Sequence, residues 1–256
     1  MAHKNILVGR DGHIAILTIN HPPANAWNLE TAREFEKLLD EMESDKSVRV
    51  IIVTGAGDRC FSAGFDVSDA ANVDELSTLV QELWLRIDRF EKPVIAAING
   101  VALGGGCELA MACHFRFMVD APKVVMGLTE LNLGVIPAWG GTQRMARIIG
   151  KARALDLILF SKKVPASEAL AIGLANVVTT PERLLDDCLQ FAYELAERPP
   201  TAVASVLRAM SVGEYDGIEA GLQAESESAT VLRQSKDAVE GFTAFLEKRP
   251  PVFTGE

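Results

Sequence analysis

The sequence of 256 residues has little of what several large classes of protein require. It has no apolar run long enough to cross a membrane, and the apolar run after Met1 is too short for a signal peptide. Its formal net charge of −10 leaves no excess of cations with which to bind nucleic acid or an anionic membrane surface. We therefore expect a cytoplasmic protein without a nucleic-acid or membrane partner.

Cysteine is also scarce, and none of the four cysteines forms a C-x-x-C pair. Cys107, Cys113 and His114 lack the spacing of a known zinc site, so the sequence predicts no metal centre. We interpret the cysteines as buried reduced thiols (Cys60, Cys107, Cys113 and Cys188). The histidines are interpreted as ordinary surface or packing residues (His3, His13, His21 and His114).

Several catalytic motifs are missing as well. No G-x-S-x-G elbow supports a serine hydrolase. The three glycines Gly104 to Gly106 do not complete a G-x-G-x-x-G fingerprint, and no G-x-x-x-x-G-K-[ST] loop occurs. The sequence therefore gives no support to a nucleotide-binding site.

What the chain does contain is two glycine-bearing segments, residues 61–67 and 99–109. The second follows the apolar run 93–98, which predicts a buried strand, and it leads into a predicted helix at 109–113. Its glycines then lie at a helix N-terminus, where unpaired N–H groups and the helix dipole favour an anion. One oxyanion could be held between backbone N–H groups of the two segments. The run could equally serve only to let a strand turn tightly into a helix.

Two glutamates are candidates for proton transfer. Glu108 follows Gly105 by three residues, on the same predicted helical face, although an acidic residue there could simply offset the helix dipole. Glu130 lies among Leu128, Leu131 and Leu133 and is followed by a Gly/Pro/Trp loop. An apolar setting can desolvate a carboxyl group and tune its pKa for acid or base chemistry.

These motifs together resemble those of the crotonase superfamily, most closely the enoyl-CoA hydratases. The similarity covers A-G-F-D at 63–66, N-G-V-A-L-G-G-G-C-E-L-A at 99–110, the segment I-P-A-W-G-G-T-Q-R ending at Arg144, and a C-terminal helix at 240–249. Four motifs in order span nearly the whole chain. The resemblance implies a spiral of repeated ββα units.

The resemblance also assigns roles to individual positions. It implies oxyanion-hole donors at the backbone N–H groups of Phe65 and Gly105, and catalytic carboxylates at Glu108 and Glu130. It further implies contacts with the CoA thioester at Ala24, Ala26, Ala63, Gly64, Phe65, Asp66, Gly104 and Gly105. No cofactor is implied, since CoA is part of the substrate.

Because both acidic positions are filled, the resemblance favours hydration of a 2-enoyl-CoA to a 3-hydroxyacyl-CoA, with Glu108 activating the water and Glu130 supplying the proton. Phe65 departs from the alanine that is typical of hydratases, which puts the acyl pocket and the substrate in question. Other superfamily reactions stay open: double-bond isomerisation, 3-hydroxyacyl-CoA hydrolysis, decarboxylation, and hydration of a ring-carrying enoyl thioester. A non-catalytic scaffold or an RNA-binding relative is a further alternative.

Hydrophobic periodicity predicts an α/β fold. Early strands at 6–8, 14–19 and 48–54 alternate with helices at 29–42 and 76–90, and helices dominate after residue 124. We predict a core over residues 1–198 and a C-terminal helical oligomerisation segment over residues 199–256, which begins near Pro199-Pro200. Three apolar stripes in that segment need a covering surface. With the resemblance, they predict a homotrimer or homohexamer in which Phe245 and Lys248 reach a neighbour's CoA site.

Overall fold

The computed structural model describes residues 4–256, so the prediction for His3 lies outside the described residues. In that range the chain forms ten strands and ten α-helices. The strands are β1 Ile6–Asp11, β2 Ile14–Ile19, β3 Val50–Gly55, β4 Cys60–Ser62, β5 Val94–Ile98, β6 Val101–Leu103, β7 Phe115–Val119, β8 Val125–Gly127, β9 Val164–Pro165 and β10 Val177–Thr179. The helices are α1 Leu29–Ser44, α2 Val73–Asp88, α3 Gly105–Ala112, α4 Gly141–Ile149, α5 Lys151–Leu159, α6 Ala166–Ala171, α7 Leu184–Ala196, α8 Pro200–Asp216, α9 Ile218–Leu232 and α10 Lys236–Glu247. Two short 3₁₀ helices cover Val67–Asn72 and Glu130–Leu133.

The strands form two sheets. The larger sheet has the order β1-β2-β3-β5-β7-β10 and is parallel except for the β1–β2 hairpin. The smaller sheet has the order β4-β6-β8-β9, in which only β9 runs antiparallel among the described strands. Two parallel strands must be joined by a crossover connection. From β2 onwards, each strand of the larger sheet is therefore joined to the next strand of that sheet by a crossover.

One unit recurs along the chain: a strand of the larger sheet, a strand of the smaller sheet, and a helix. The unit is built first by β3, β4 and α2, then by β5, β6 and α3, and then by β7, β8 and α4. The predicted α/β class and the repeated ββα arrangement are thus both present. Because each unit ends its two strands beside those of the previous unit, loops far apart in sequence meet at one edge of the sheets.

The core lies between the sheets and the helices that cover them. Strand β5 is buried along its whole length, and so is α3. Helix α1 is amphipathic and buries Phe35, Leu38 and Met42, and it begins where the Asn28 side chain accepts a hydrogen bond from the Thr31 N–H at 2.8 Å. The rings of Phe35, Trp27, Trp84 and Trp139 form an edge-to-face series through this core.

The sequence-based elements agree with the structure to within a few residues, with clear exceptions. The helix predicted at 109–113 begins earlier, at Gly105, because the positive φ of Gly104 (53°) turns the chain directly from β6 into α3. Strands β4, β6, β8, β9 and β10 have only two or three residues, too few to carry periodicity, and neither they nor the five-residue β7 are predicted from the sequence. The four cysteines are buried free thiols, as predicted.

The C-terminal segment consists of α8, α9 and α10. Helices α8 and α9 approach closely at Gly213 and Gly221, where an added Cβ on Gly221 would lie 2.7 Å from Gly213 Cα. After α10 the chain folds back, and Asp237 accepts hydrogen bonds from the Thr254 and Gly255 N–H groups at 2.8 and 2.9 Å. Large apolar side chains stay exposed on these helices: Val206, Met210, Ile218, Leu222, Val231, Val239, Phe242, Phe245 and Leu246. The division of the chain at residue 198 stays a prediction.

No helix within residues 4–256 combines the length and the apolar composition needed to cross a membrane.

Candidate active site

The glycine run opens α3 with an unpaired N–H. Gly105 is the first residue of the helix, and Glu108 N–H donates to Gly104 O at 3.0 Å to close the first turn. No hydrogen bond within residues 4–256 uses the Gly105 N–H, as is normal for the first turn of a helix. A buried N–H of this kind is available to a ligand oxygen.

The second glycine segment lies against the first. Trp27 N–H donates to Gly64 O at 2.7 Å and Asp66 N–H donates to Trp27 O at 3.0 Å, so the two flanking peptide groups are fixed. The Phe65 N–H between them makes no hydrogen bond within the described residues. A Cβ added to Gly64 would lie 2.6 Å from Gly105 N, which shows how closely the two segments approach. The predicted donors Phe65 and Gly105 are therefore brought together.

Glu108 points from α3 into the protein interior, and only 2 % of the residue is exposed. Its Oε1 accepts hydrogen bonds from the N–H groups of Trp139 at 2.8 Å and Gly141 at 2.7 Å. Burial raises the pKa of Glu108 to about 7, against the opposing effect of the Gly141 N–H and with a further contribution from the negative charge of Glu130. A carboxyl group with this pKa exchanges a proton near neutral pH.

Segment 139–141 holds Glu108 through its backbone. Gly140 adopts a φ of 101°, and a Cβ on Gly141 would lie 2.9 Å from Glu108 Oε1. Glycine at these two positions lets the peptide groups approach the carboxylate. The Trp139 ring fills the space in which Gly105 would carry a side chain, so this residue contacts both the oxyanion-donor segment and the carboxylate.

Glu130 lies against the glycine run that opens α3. It begins the short 3₁₀ helix Glu130–Leu133, and a Cβ on Gly104 would lie 3.0 Å from its Oε1. Its Oε2 is buried and has no hydrogen-bond partner within residues 4–256. Burial raises the pKa of Glu130, with backbone N–H groups acting in the opposite direction. Of the leucines expected around it, only Leu128 is buried, because Leu131 and Leu133 point to solvent.

The remaining predicted contact residues lie beside the two donor segments, along an edge that we call the rim (Ala24, Ala26, Ala63 and Asp66). Ala63 N–H donates to Ala24 O at 3.0 Å, and Ala26 O accepts a hydrogen bond from His21 Nδ1 at 2.6 Å. Asp66 caps the 3₁₀ helix that follows it, and its hydrogen bond to the Ser68 hydroxyl lowers the pKa of its carboxyl group. These residues run beside the two donor segments, with Ala63 exposed and Ala24 and Ala26 partly exposed.

Sequence reasoning assigned no role to Trp139, Gly141 or Arg144. The adjacent glycines before a helix were a usable signal, because such a segment presents several free N–H groups. The sequence does not show that these N–H groups bind Glu108, because α3 and α4 come into contact only in the folded chain.

Known proteins resemble this chain over nearly its whole length. The family model described as Enoyl-CoA hydratase/isomerase matches residues 9–256. A probable enoyl-CoA hydratase of Bacillus subtilis is 42% identical over 96% of this chain and 97% of its own length. A crotonyl-CoA hydratase of Syntrophomonas wolfei is 38% identical over 99% of each chain. The crystal structure of an enoyl-CoA hydratase from Bacillus anthracis superposes with a TM-score of 0.95 at 35% identity, covering 99% of this chain and 100% of that one.

The chain therefore belongs to the enoyl-CoA hydratase/isomerase family. The predicted crotonase-type spiral with a C-terminal helical segment is confirmed, and so is the prediction of a hydro-lyase enzyme.

Proposed function

We propose that the protein adds water across the 2,3 double bond of a 2-enoyl-CoA thioester to give a 3-hydroxyacyl-CoA, and that it catalyses the reverse reaction. The observation that carries this proposal is the pair of glutamates with raised pKa values beside two unpaired backbone N–H groups. An enzyme that hydrates an activated alkene needs one group for the water, one for the proton, and donors for the thioester oxygen.

In the proposed mechanism the N–H groups of Phe65 and Gly105 bind the thioester oxygen. Water attacks C3, and the electron pair of the double bond moves toward the carbonyl, so negative charge grows on that oxygen. Donors fixed in a buried site stabilise this charge more than they stabilise the neutral substrate, which lowers the barrier. The thioester itself polarises the alkene, and no metal or redox cofactor takes part.

Glu108 is the proposed base. With Oε1 occupied by two backbone N–H groups, Oε2 is the oxygen left for a water molecule. The raised pKa of Glu108 gives it enough basicity to take the proton as the C–O bond forms. Glu130 is the proposed acid that delivers a proton to C2, and its buried, unpaired Oε2 supports this role. Both roles are exchanged in dehydration.

Substrate binding is proposed along the rim. Ala24, Ala26, Ala63 and Asp66 border the two donor segments, and Gly64 and Gly104 keep those segments free of side chains. Phe65 is partly buried against the core, and we propose that its ring limits the size of the acyl group.

The test is a spectrophotometric assay with crotonyl-CoA and a panel of longer and ring-carrying 2-enoyl-CoA thioesters, without added metal or nucleotide. We expect loss of the conjugated ultraviolet band, and a loss slower by roughly two to four decades with Glu108→Gln. If every 2-enoyl thioester keeps its band while a 3-enoyl thioester gains one, the protein is an isomerase and the proposal is wrong.

We further propose a homotrimer, alone or paired into a hexamer. The support is the exposed apolar surface of α8 to α10, where Phe245 is 81% exposed beside a groove of about 660 Å³. A surface of this kind is normally covered by a partner, and closed cyclic assemblies are the common solution. Phe245 and Lys248 are proposed to reach a neighbour's CoA site. Light scattering at micromolar concentration tests this, since an active monomer of 27.6 kDa would contradict it.

A further inference from the structure

Three polar side chains, of which Arg144 is buried and the other two are partly buried, form a hydrogen-bonded group next to the segment that holds Glu108. Arg144 of α4 donates to Asp88 Oδ2 from Nε at 2.8 Å and from Nη2 at 2.5 Å. Tyr215 of α8 donates its hydroxyl to the same oxygen at 2.7 Å. Side-chain exposure is only 9% for Arg144 and 14% for Asp88. Nothing in the proposed reaction uses these residues directly.

The group reaches the catalytic carboxylate through Trp139. Arg144 Nη1 donates to Trp139 O at 2.8 Å, and its guanidinium fills the space in which Gly140 would carry a side chain. On the other side, Trp139 N–H and Gly141 N–H donate to Glu108 Oε1. A segment with glycine at positions 140 and 141 has several accessible backbone conformations. The guanidinium selects the conformation that points both N–H groups at Glu108.

We propose that Asp88, Arg144 and Tyr215 are positioning residues that fix segment 139–141 and thereby orient Glu108 for its reaction with water. Asp88 anchors the guanidinium, Arg144 holds the Trp139 carbonyl, and Tyr215 completes the hydrogen bonding of Asp88. The inference rests on the proposed role of Glu108 in hydration.

Tyr215 gives this arrangement a wider reach, because it belongs to the C-terminal helical segment. Its ring lies between the guanidinium groups of Arg89 and Arg147, each 4.7 Å from the ring centroid. Burial and the hydrogen bond to Asp88 raise the pKa of Tyr215 to about 12, so the hydroxyl keeps its proton at neutral pH. Helix α8 is thereby linked to the active-site carboxylate.

The decisive variant is Arg144→Lys, which keeps the charge but loses the planar fork that binds Asp88 through two nitrogens and the Trp139 carbonyl through the third. We expect kcat to fall by about tenfold or more with KM within about twofold, because a small displacement of a reacting group costs rate rather than affinity. Tyr215→Phe, which removes one donor only, should lower kcat by about threefold. Arg86→Lys is the matched control, since within residues 4–256 Arg86 on α2 pairs only with exposed Asp40 and Glu43.

A double variant distinguishes a role of these residues in stability alone from a role in positioning Glu108. Asp88→Leu with Arg144→Met removes both buried charges, so it should recover melting temperature relative to Arg144→Met alone. Under the proposal its kcat stays about tenfold low, because the Trp139 carbonyl has still lost its donor. Recovery of kcat together with melting temperature would overturn the proposal.

A second measurement, the pKa of Glu108, does not depend on turnover. Infrared difference spectra between each protein and the same protein carrying Glu108→Gln report the pKa of Glu108, which is faced by the charges of Glu130 and Arg144. We expect Arg144→Lys to raise that pKa, because the charged form loses backbone donors while the local positive charge is kept. If Arg144→Lys and Tyr215→Phe leave both the pKa of Glu108 and kcat unchanged, the proposed positioning role is refuted. If the wild-type protein is inactive on every enoyl thioester, only the proposed hydratase function is refuted.

Discussion

Gly64→Ala places a methyl group directly against the proposed oxyanion hole. The new Cβ would lie 2.6 Å from Gly105 N, 3.1 Å from Leu103 O and 3.2 Å from Gly105 Cα. All three atoms are backbone, so a flexible side chain cannot move aside. Either segment 104–105 shifts or the Phe65 peptide rotates, and in both cases the thioester oxygen loses one of its two N–H donors.

The magnitude follows from two contributions. Gly64 has a φ of 86°, and alanine in a left-handed conformation costs roughly 1–2 kcal/mol of stability. Losing one oxyanion donor costs about 2.7–4 kcal/mol of transition-state stabilisation, which corresponds to roughly 10²–10³ in kcat. Gly57→Ala is a matched control, because Gly57 has a φ of 78° but no atom within 4 Å of its added Cβ.

Both variants are measured by calorimetry and by steady-state hydration of the best enoyl-CoA substrate. Gly57→Ala should lose the stability expected for alanine at positive φ and keep its kcat, whereas Gly64→Ala should lose more stability, because the backbone must shift, and about 10²–10³ of kcat. If a folded Gly64→Ala enzyme turns over within about threefold of Gly57→Ala, the N–H of Gly105 does not bind the thioester oxygen.

Further predictions concern the carboxylates and Phe65. Glu108→Gln and Glu130→Gln should each lower kcat by roughly two to four decades with little change in substrate affinity, and the double variant should cost less than the sum, since both groups act on one water. The rate of hydration should fall as pH drops below about 7, where Glu108 takes up a proton; a rate that stays flat from pH 5 to 7 would contradict its role as the base. Because Glu108 ionises near 4.5 when unfolded and near 7 when folded, the folded state binds more protons between these values, so stability decreases across that window as pH rises. Glu108→Gln should therefore raise the free energy of unfolding at pH 8 by about 3 kcal/mol in denaturant titrations. Phe65→Ala keeps its N–H and should change acyl-chain preference more than the best attainable kcat; a folded but inactive variant would remove Phe65 from the hole.

Much of the fold could be predicted from the sequence where periodicity is long. Helix α1 repeats its apolar residues over four turns, and β5 is a continuous apolar run, so both were identified nearly to their ends. The strands of the smaller sheet are too short for such a pattern. They exist because parallel neighbours supply their hydrogen bonds, and that pairing connects residues far apart in the chain.

In the candidate site, too, contacts within one element could be predicted from the sequence, and contacts between distant elements could not. Gly105 and Glu108 share one helix turn, so local geometry relates them. The contact of Glu108 with Trp139 and Gly141 crosses from α3 to the start of α4, and the ion pair of Arg144 with Asp88 joins α4 to α2. Such contacts depend on how the repeated units stack. No spacing in the sequence encodes them.

The aromatic series of the core has an optical consequence. All three tryptophans of the chain belong to it, with ring centroids 4.9 Å apart for Trp27 and Trp84 and 6.3 Å apart for Trp84 and Trp139. At this separation the rings exchange excitation energy, so the intrinsic emission of the protein comes from one coupled cluster. Its last ring packs on Gly105. The tryptophan cluster therefore ends at the proposed thioester site, and its emission should change when a thioester binds there.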